Sequence, residues 1–259
     1  MKDKVAMVAG ASKGIGYGIA QILAQEGCKV SIGSRTDDDI KTAAQQIQTE
    51  TGSDILGFPF DATVSQSISD WVAATKLHFG RVDYLVVNSG GPPAGLFDDF
   101  DDDAWQSAFE LNLLSAVRMI RVVLPIMREC GGRSILVITS SSVKEPIDML
   151  LLSNVMRAGV AGLAKTLSRT LVNDNIRINN IVPGRIDTDR VGYLDAATAK
   201  KKGISESDQR KLQEAMIPMG RYGSVHEFGR VAAFILSDAA SYINGATIVV
   251  DGGKIRSTN

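Results

Sequence analysis

A glycine-rich segment near the start of the chain limits the folds open to it. The apolar run Val5 to Val8 leads into glycines with GxxxGxG spacing, and a helical pattern over Gly16 to Glu26 follows. A strand that turns through glycines into a helix directs free backbone N–H groups and a helix N-terminus at one point, which suits a pyrophosphate. The sequence therefore predicts a dinucleotide site, and a tight turn without a ligand is the alternative. The predicted contacts are Gly10, Ser12, Lys13, Gly14, Ile15 and Gly16.

The rest of the chain repeats the strand–helix rhythm. Lys29 to Ile32 is the second strand candidate and Asp38 to Thr51 the second helix. The further strand candidates are Asp54 to Phe60, Tyr84 to Val87, Ser134 to Thr139, Arg177 to Val182 and Thr247 to Val250. These runs are continuously apolar, which is typical of parallel strands buried on both faces. The right-handed crossover rule then favours one α/β domain over residues 1–259, a Rossmann-like, doubly wound parallel sheet of about seven strands.

One segment departs from this rhythm. Residues 185–220 are polar, rich in lysine and interrupted by Gly192 and Gly203. We predict a mobile flap over a substrate pocket there, and an ordinary surface insertion is the alternative.

Composition excludes several classes of protein. The chain has 259 residues, 44% of them hydrophobic and 22% charged, and a net charge of -1, so no global field attracts nucleic acid or an anionic membrane. Cys28 and Cys130 show no ligand or disulfide spacing, which favours a reducing, cytoplasmic location. No apolar run approaches the ~20 residues that span a bilayer. The acidic run Asp98 to Asp103 precedes a helical pattern and suits a helix cap, so we predict no metal site.

The end of the second strand bears on the choice of cofactor. An acidic residue about 20 positions beyond the glycine turn would bind an unmodified adenosine ribose, but Arg35 stands there. Arg35 and Lys13 offer two cations to a 2′-phosphate, which favours NADP(H) over NAD(H). The alternative is that both are solvated surface charges.

Later segments of the chain carry further motifs. The motifs are Asp61-Ala-Thr, Asn88-Ser-Gly-Gly, Asn112 within a helix and Pro183-Gly-Arg-Ile-Asp-Thr. Both the order and the residues of these motifs resemble the short-chain dehydrogenase/reductase family. This resemblance implies that Asp61 and Ala62 contact the adenine. It also implies that Asn88, Ser89 and Gly90 border the adenosine, and that Pro183, Gly184, Ile186 and Thr188 line the nicotinamide carboxamide.

The resemblance also implies a catalytic serine, tyrosine and lysine, and here the chain departs from it. Ser140 matches the serine, which polarises the substrate oxygen in the family. The tyrosine position falls on Ser153 and the lysine position on Arg157. An aliphatic hydroxyl is a far weaker acid than a phenol, and a guanidinium gives up no proton at working pH. Positive charge is retained at this site, whereas the proton donor must be a different group.

Three replacements for the proton donor are open. Lys144 lies four residues beyond Ser140, Tyr193 lies on the predicted flap, and the third is a substrate group or a water chain through Asn112. The alternative for Lys144 is a solvated loop charge, and for Tyr193 a packing residue.

The sequence is compatible with two functions. The first is an NADP(H)-dependent oxidoreductase acting on a small-molecule carbonyl or alcohol, and the second is a regulatory dinucleotide-binding protein that has lost the chemistry. Amphipathic stretches at Asp103 to Arg128 and Met149 to Leu171 resemble the helices that family members pair across a twofold axis. The resemblance thus implies a homotetramer, with a homodimer as the alternative.

Overall fold

The computed structural model describes residues 1–258, and its centre is one sheet of seven parallel strands. The strand order is β3-β2-β1-β4-β5-β6-β7. The strands are β1 (Val5–Ala9), β2 (Lys29–Ser34), β3 (Ile55–Pro59), β4 (Tyr84–Val87), β5 (Ser134–Ile138), β6 (Arg177–Pro183) and β7 (Thr247–Val250). This confirms the doubly wound α/β prediction, and each predicted strand lies within two residues of its observed ends.

Helices cover both faces of the sheet. They are α1 (Gly14–Gln25), α2 (Asp37–Thr51), α3 (Ser65–Phe79), α4 (Asp102–Ala108), α5 (Ser115–Glu129), α6 (Leu151–Ser168), α7 (Asp189–Lys202), α8 (Glu206–Ala215) and α9 (Val225–Leu236). The middle strands are buried on both sides, as their apolar runs require. In β1, Ala6 and Val8 pack with α1, α2 and α9, whereas Met7 and Ala9 pack with α3, α5 and α6.

The strand order places a crevice at the carboxyl end of β1. This strand pairs with β2 on one side and β4 on the other, so the chain leaves it in opposite directions for its two neighbours. Ligands of open α/β sheets bind at such a reversal. The glycine turn follows β1 and Asn88 follows β4, so the fold brings both to this crevice.

Two segments acquire structure that the sequence pattern did not reveal. Residues 185–220, expected to be irregular, contain α7 and α8, which begin at the side-chain caps Thr188 and Ser205. Between α4 and α5 the backbone widens into a π-helix, Phe109–Leu114, which holds Asn112. Asp101 caps α4 by accepting the Ala104 amide hydrogen at 2.9 Å, as predicted for the acidic run. Within residues 1–258, no helix combines the length and apolarity needed to cross a membrane.

Candidate active site

A cleft of about 1590 Å³ opens along the carboxyl ends of the strands. Most of the predicted cofactor residues line it: Gly10, Lys13, Gly14, Ile15, Arg35, Ala62, Asn88, Ser89, Gly90, Pro183, Gly184, Ile186 and Thr188. Ser12, Gly16 and Asp61 lie outside the lining. Ser140 lines the same cleft, so the fold joins the glycine turn and the predicted catalytic serine in one cavity.

The glycine turn is shaped by conformations and close approaches that only glycine accepts. Gly10 and Gly14 have φ of +60° and +63°, in the left-handed region. A Cβ on Gly16 would lie 2.3 Å from the Gly10 carbonyl oxygen. The Asn88 side-chain amide donates to the carbonyl oxygens of Ala9 and Gly10, both at 3.2 Å, which fixes the turn against the end of β4.

The end of β2 carries an unsatisfied polar group beside the predicted cations. The Ser34 Oγ is buried and has no hydrogen-bond partner among the described residues, although Ser34 lines the cleft. Arg35 is exposed next to it. Across the cleft mouth, the Lys13 ammonium lies 3.5 Å from the Asp189 carboxylate at the start of α7. Asp61 is held at this end by its contacts with Thr63: hydrogen bonds from the Thr63 hydroxyl and amide lower the pKa of the Asp61 carboxyl.

Ser140 is oriented by the short turn that follows β5. It begins a 3-10 turn over Ser141–Val143, and its Oγ accepts the Ser142 amide hydrogen at 3.1 Å. A hydroxyl that accepts from the backbone keeps its own hydrogen available to donate. Ser140 can therefore donate to a substrate oxygen in the cleft.

The Asn112 side chain holds the backbone of the cleft wall. Its side-chain amide donates to the Gly90 carbonyl oxygen at 2.6 Å and to the Ser89 Oγ at 3.0 Å. Its Oδ1 is buried and has no partner within residues 1–258. A π-bulge of this kind often occurs at functional sites, where it displaces one side chain from the regular helical path.

Arg157 is buried, and its guanidinium faces backbone carbonyl groups. One Nη donates to the Ile138 carbonyl oxygen at 2.8 Å, and the other to those of Ser89 at 2.9 Å and Gly90 at 3.4 Å. Burial, and secondarily the charge of Arg190, lowers the pKa of Arg157 to about 10. The guanidinium thus ties the ends of β4 and β5 together. Neither Arg157 nor the buried Ser153 belongs to the lining of the cleft.

The structure separates the candidate proton donors. Lys144 lies outside the cleft lining, whereas Tyr193, on α7, lines it and is 67% exposed. Within residues 1–258, Tyr193 is the only tyrosine in the lining.

Sequence reasoning missed Ser34, Arg190 and Lys254, which also line the cleft. Of the three, only Ser34 could have been identified from the sequence, because it is the neighbour of Arg35. Arg190 and Lys254 reach the cleft through tertiary packing alone.

Comparison with known proteins assigns the family. A family model described as enoyl-(acyl carrier protein) reductase matches residues 10–254. The 3-oxoacyl-(acyl-carrier-protein) reductase FabG of Salmonella typhimurium is 34% identical over 256 residues, with 97% of each chain covered. The dehydrogenase/reductase SDR family member 4 of Bos taurus is 31% identical over 257 residues, covering 98% of this chain and 88% of its own.

Solved structures agree with this assignment. L-sorbose reductase from Gluconobacter frateurii, complexed with NADPH and L-sorbose, superposes with a TM-score of 0.94 at 29% identity, covering 99% of this chain and 98% of its own. YwfH, an NADPH-dependent reductase involved in bacilysin biosynthesis, superposes with a TM-score of 0.93 at 29% identity, covering 99% of this chain and all of its own. The chain belongs to the short-chain dehydrogenase/reductase family.

Proposed function

We propose that this protein is an NADP(H)-dependent oxidoreductase that interconverts a carbonyl compound and its alcohol. The observation that carries the proposal is the single cleft whose lining contains both the glycine turn after β1 and Ser140 after β5. Gly10, Gly14 and Arg35 would hold a dinucleotide at the ends of β1 and β2, and Ser140, after β5, lines the same cleft.

The residues at the end of β2 suit the phosphate of NADP(H). The buried Ser34 hydroxyl lacks a partner, and Arg35 supplies a planar cation next to it. Neither Ser34 nor Arg35 has the carboxylate that accepts hydrogen bonds from the adenosine ribose in NAD-binding sites. The solved relatives described above contain or use NADPH.

The cofactor and the side chains of the protein have different roles in the reaction. A bound nicotinamide supplies or receives the hydride. Ser140 donates a hydrogen bond to the substrate oxygen and stabilises the negative charge that develops on it. Arg157 and Asn112 hold the backbone of Ser89 and Gly90, which line the same cleft as Ser140. The reduced oxygen still requires one proton, which Ser153 is too weak an acid to give.

We infer that Tyr193 delivers this proton when α7 moves toward Ser140. A phenol in the cleft wall is the group chemically closest to the tyrosine expected from the family. Tyr193→Phe is expected to lower kcat for carbonyl reduction about a hundredfold, within the range that general acid catalysis contributes. Lys144→Met serves as the matched control and should retain turnover, since Lys144 lies outside the lining. Equal turnover in wild type and Tyr193→Phe would exclude this role.

The function itself is tested by two measurements on the purified chain. NADPH should bind more tightly than NADH, and Arg35→Ser should weaken NADPH binding about tenfold to a hundredfold while leaving NADH binding unchanged, as for loss of a charged hydrogen bond. NADPH oxidation is then followed with a panel of ketones, ketoses and acyl thioesters. Tighter binding of NADH would contradict the cofactor assignment.

A regulatory dinucleotide-binding protein is the second candidate. It is favoured by Arg157, which is engaged with backbone carbonyls and is not itself part of the cleft lining. Tight NADPH binding without turnover of any member of the panel would select this function over the first.

A further inference from the structure

The cleft is far more positive than the rest of the molecule. Seven cationic side chains line it, and Asp189 is the one carboxylate in the lining among residues 1–258, although the whole chain has a net charge of -1. The cations are Lys13, Arg35, Arg185, Arg190, Lys201, Lys202 and Lys254. A cleft lined by one sign of charge concentrates ligands of the opposite sign.

Two of these cations lie at the dinucleotide end, and Lys254 lies at the other. Lys13 and Arg35 follow β1 and β2, whereas Lys254 follows β7 at the opposite edge of the sheet. Five strand spacings separate β2 from β7, which corresponds to roughly 24 Å at about 4.8 Å a spacing. Lys254 is therefore carried at the opposite end of the sheet from the glycine turn and Arg35, and we expect its charge to serve a group other than the phosphates bound there.

The segment that carries Lys254 lies next to the catalytic loop. The Arg256 amide donates to the Glu145 carboxylate at 2.8 Å, which attaches residues 254–257 to the loop that begins at Ser140. On its other side, Lys254 is close enough to Arg185, after β6, for their charges to interact. Lys254 thus borders the part of the cleft where a substrate of Ser140 would extend.

The carboxylates near Lys254 interact with its charge, but each accepts its hydrogen bonds from other groups. Asp251 accepts the amide hydrogens of Gly253 and Ile255, at 2.8 and 2.7 Å. Glu145 accepts from Arg256, and Asp195 accepts from Arg185 and from the Tyr222 hydroxyl.

Lys254 itself makes no ion pair or hydrogen bond within the described residues. Burial, and then the charge of Arg185, lowers the pKa of the half-buried Lys254. An ammonium placed this way gains more from a bound anion than one that already has a carboxylate partner.

We infer that the cleft contains an anion-binding subsite at Lys254, and that the substrate is a carbonyl compound bearing a carboxylate or a phosphate. The anionic group binds Lys254, and Lys201 and Lys202 on α7 add to the positive field. The apolar part of the substrate contacts the wall formed by Ile147, Met149 and Leu150. This inference names the substrate class of the proposed reductase and rests on that function for the catalytic step.

The test measures binding rather than turnover. Calorimetric titrations compare acetoacetate with its neutral methyl ester, and dihydroxyacetone phosphate with dihydroxyacetone, using the protein with and without NADP⁺. At least one charged probe should bind about tenfold or more tightly than its neutral partner. The first pair reports a carboxylate and the second a phosphate. No preference for either charged probe would overturn the inference.

Variants locate the preference within the cleft. Lys254→Gln should remove this preference, because it weakens binding of the charged probe about tenfold and leaves binding of the neutral probe unchanged. Lys254→Arg should retain the preference. Lys211→Gln is the matched control, because Lys211 is an exposed lysine of α8 outside the lining. A preference that persists in Lys254→Gln would also overturn the inference.

The two proposals fail separately. Charge-selective binding without NADPH oxidation would remove the reductase function and leave the subsite. NADPH oxidation that uses neutral and charged carbonyls equally would remove the subsite and leave the reductase function.

Discussion

Gly16 shows how one residue sets the geometry of the cofactor turn. A Cβ there would lie 2.3 Å from the Gly10 carbonyl oxygen and 3.0 Å from the Ala11 Cα, so α1 approaches the turn more closely than any side chain allows. The consequence for binding is indirect, since Gly16 lies beneath the cleft rather than in its lining. A side chain at this position would displace backbone N–H groups rather than block the ligand.

Gly16→Ala is accordingly expected to weaken NADPH binding at least about tenfold and to lower the free energy of unfolding by about 1–3 kcal/mol, as overpacking does. Gly192→Ala is the control, because Gly192 lies in α7 with no atom within 4 Å of a built Cβ. It should raise the free energy of unfolding by about 0.5–1 kcal/mol. Urea denaturation and NADPH fluorescence titration measure both effects. Unchanged NADPH affinity in Gly16→Ala would contradict the proposed site.

Among the elements, α9 has an N-terminal cap whose contribution to stability depends on pH. The Ser224 Oγ accepts the Glu227 amide hydrogen, the Glu227 carboxylate accepts the Ser224 amide hydrogen, and Arg221 forms an ion pair with the same carboxylate at 2.7 Å. The hydrogen bond from Arg221, followed by that from the Ser224 backbone, lowers the pKa of Glu227 from 4.5 to about 2. A carboxyl whose pKa is lowered by folding stabilises the native state above its unfolded pKa, and this contribution is lost as pH falls.

The wild type should therefore be more stable than Glu227→Gln above about pH 4.5, and the difference should shrink as the pH falls toward about 2. Thermal melts of both proteins at pH 7, 4 and 3 provide the measurement. Glu206→Gln is a suitable control, because Glu206 lies in the first turn of α8 and makes no such pair among the described residues. A difference that does not change with pH would show that the ionised carboxylate is not the stabilising form.

At the scale of the whole molecule, α6 presents a face that a partner subunit can cover. Val155, Ala158 and Gly162 recur every three or four residues on this helix and are exposed. Small and apolar residues at this spacing allow close packing of one helix on another. The face lies on one of the two helices that the family resemblance implicates in subunit pairing.

We expect a mass near four chains in light scattering after size-exclusion chromatography. Val155→Asp should reduce this mass, since a charge buried in an apolar interface is strongly unfavourable. Val172→Asp, at a valine with 51% exposure beyond the end of α6, should leave it unchanged. A wild-type chain that elutes as a monomer would refute the predicted assembly.

The sequence by itself determined the strands, their parallel arrangement and the position of the cofactor turn. These properties depend on local patterns: continuous apolar runs for strands buried on both faces, and glycines where φ is positive or backbones approach. Residues 185–220 were harder to predict because α7 and α8 are polar. Their helices depend on the caps Thr188 and Ser205 more than on an apolar stripe.

Only the tertiary structure decided which side chains face the cleft. Arg157 matches a catalytic position in sequence, yet its guanidinium satisfies the carbonyl oxygens of Ile138 and Ser89, because a buried cation without a carboxylate requires acceptors nearby. Lys254 lies more than a hundred residues from Ser140 in sequence and reaches the same cleft because β7 pairs with β6 and Glu145 holds the segment beyond it. The charge that a substrate meets depends on packing between distant segments, and a one-dimensional pattern does not contain that information.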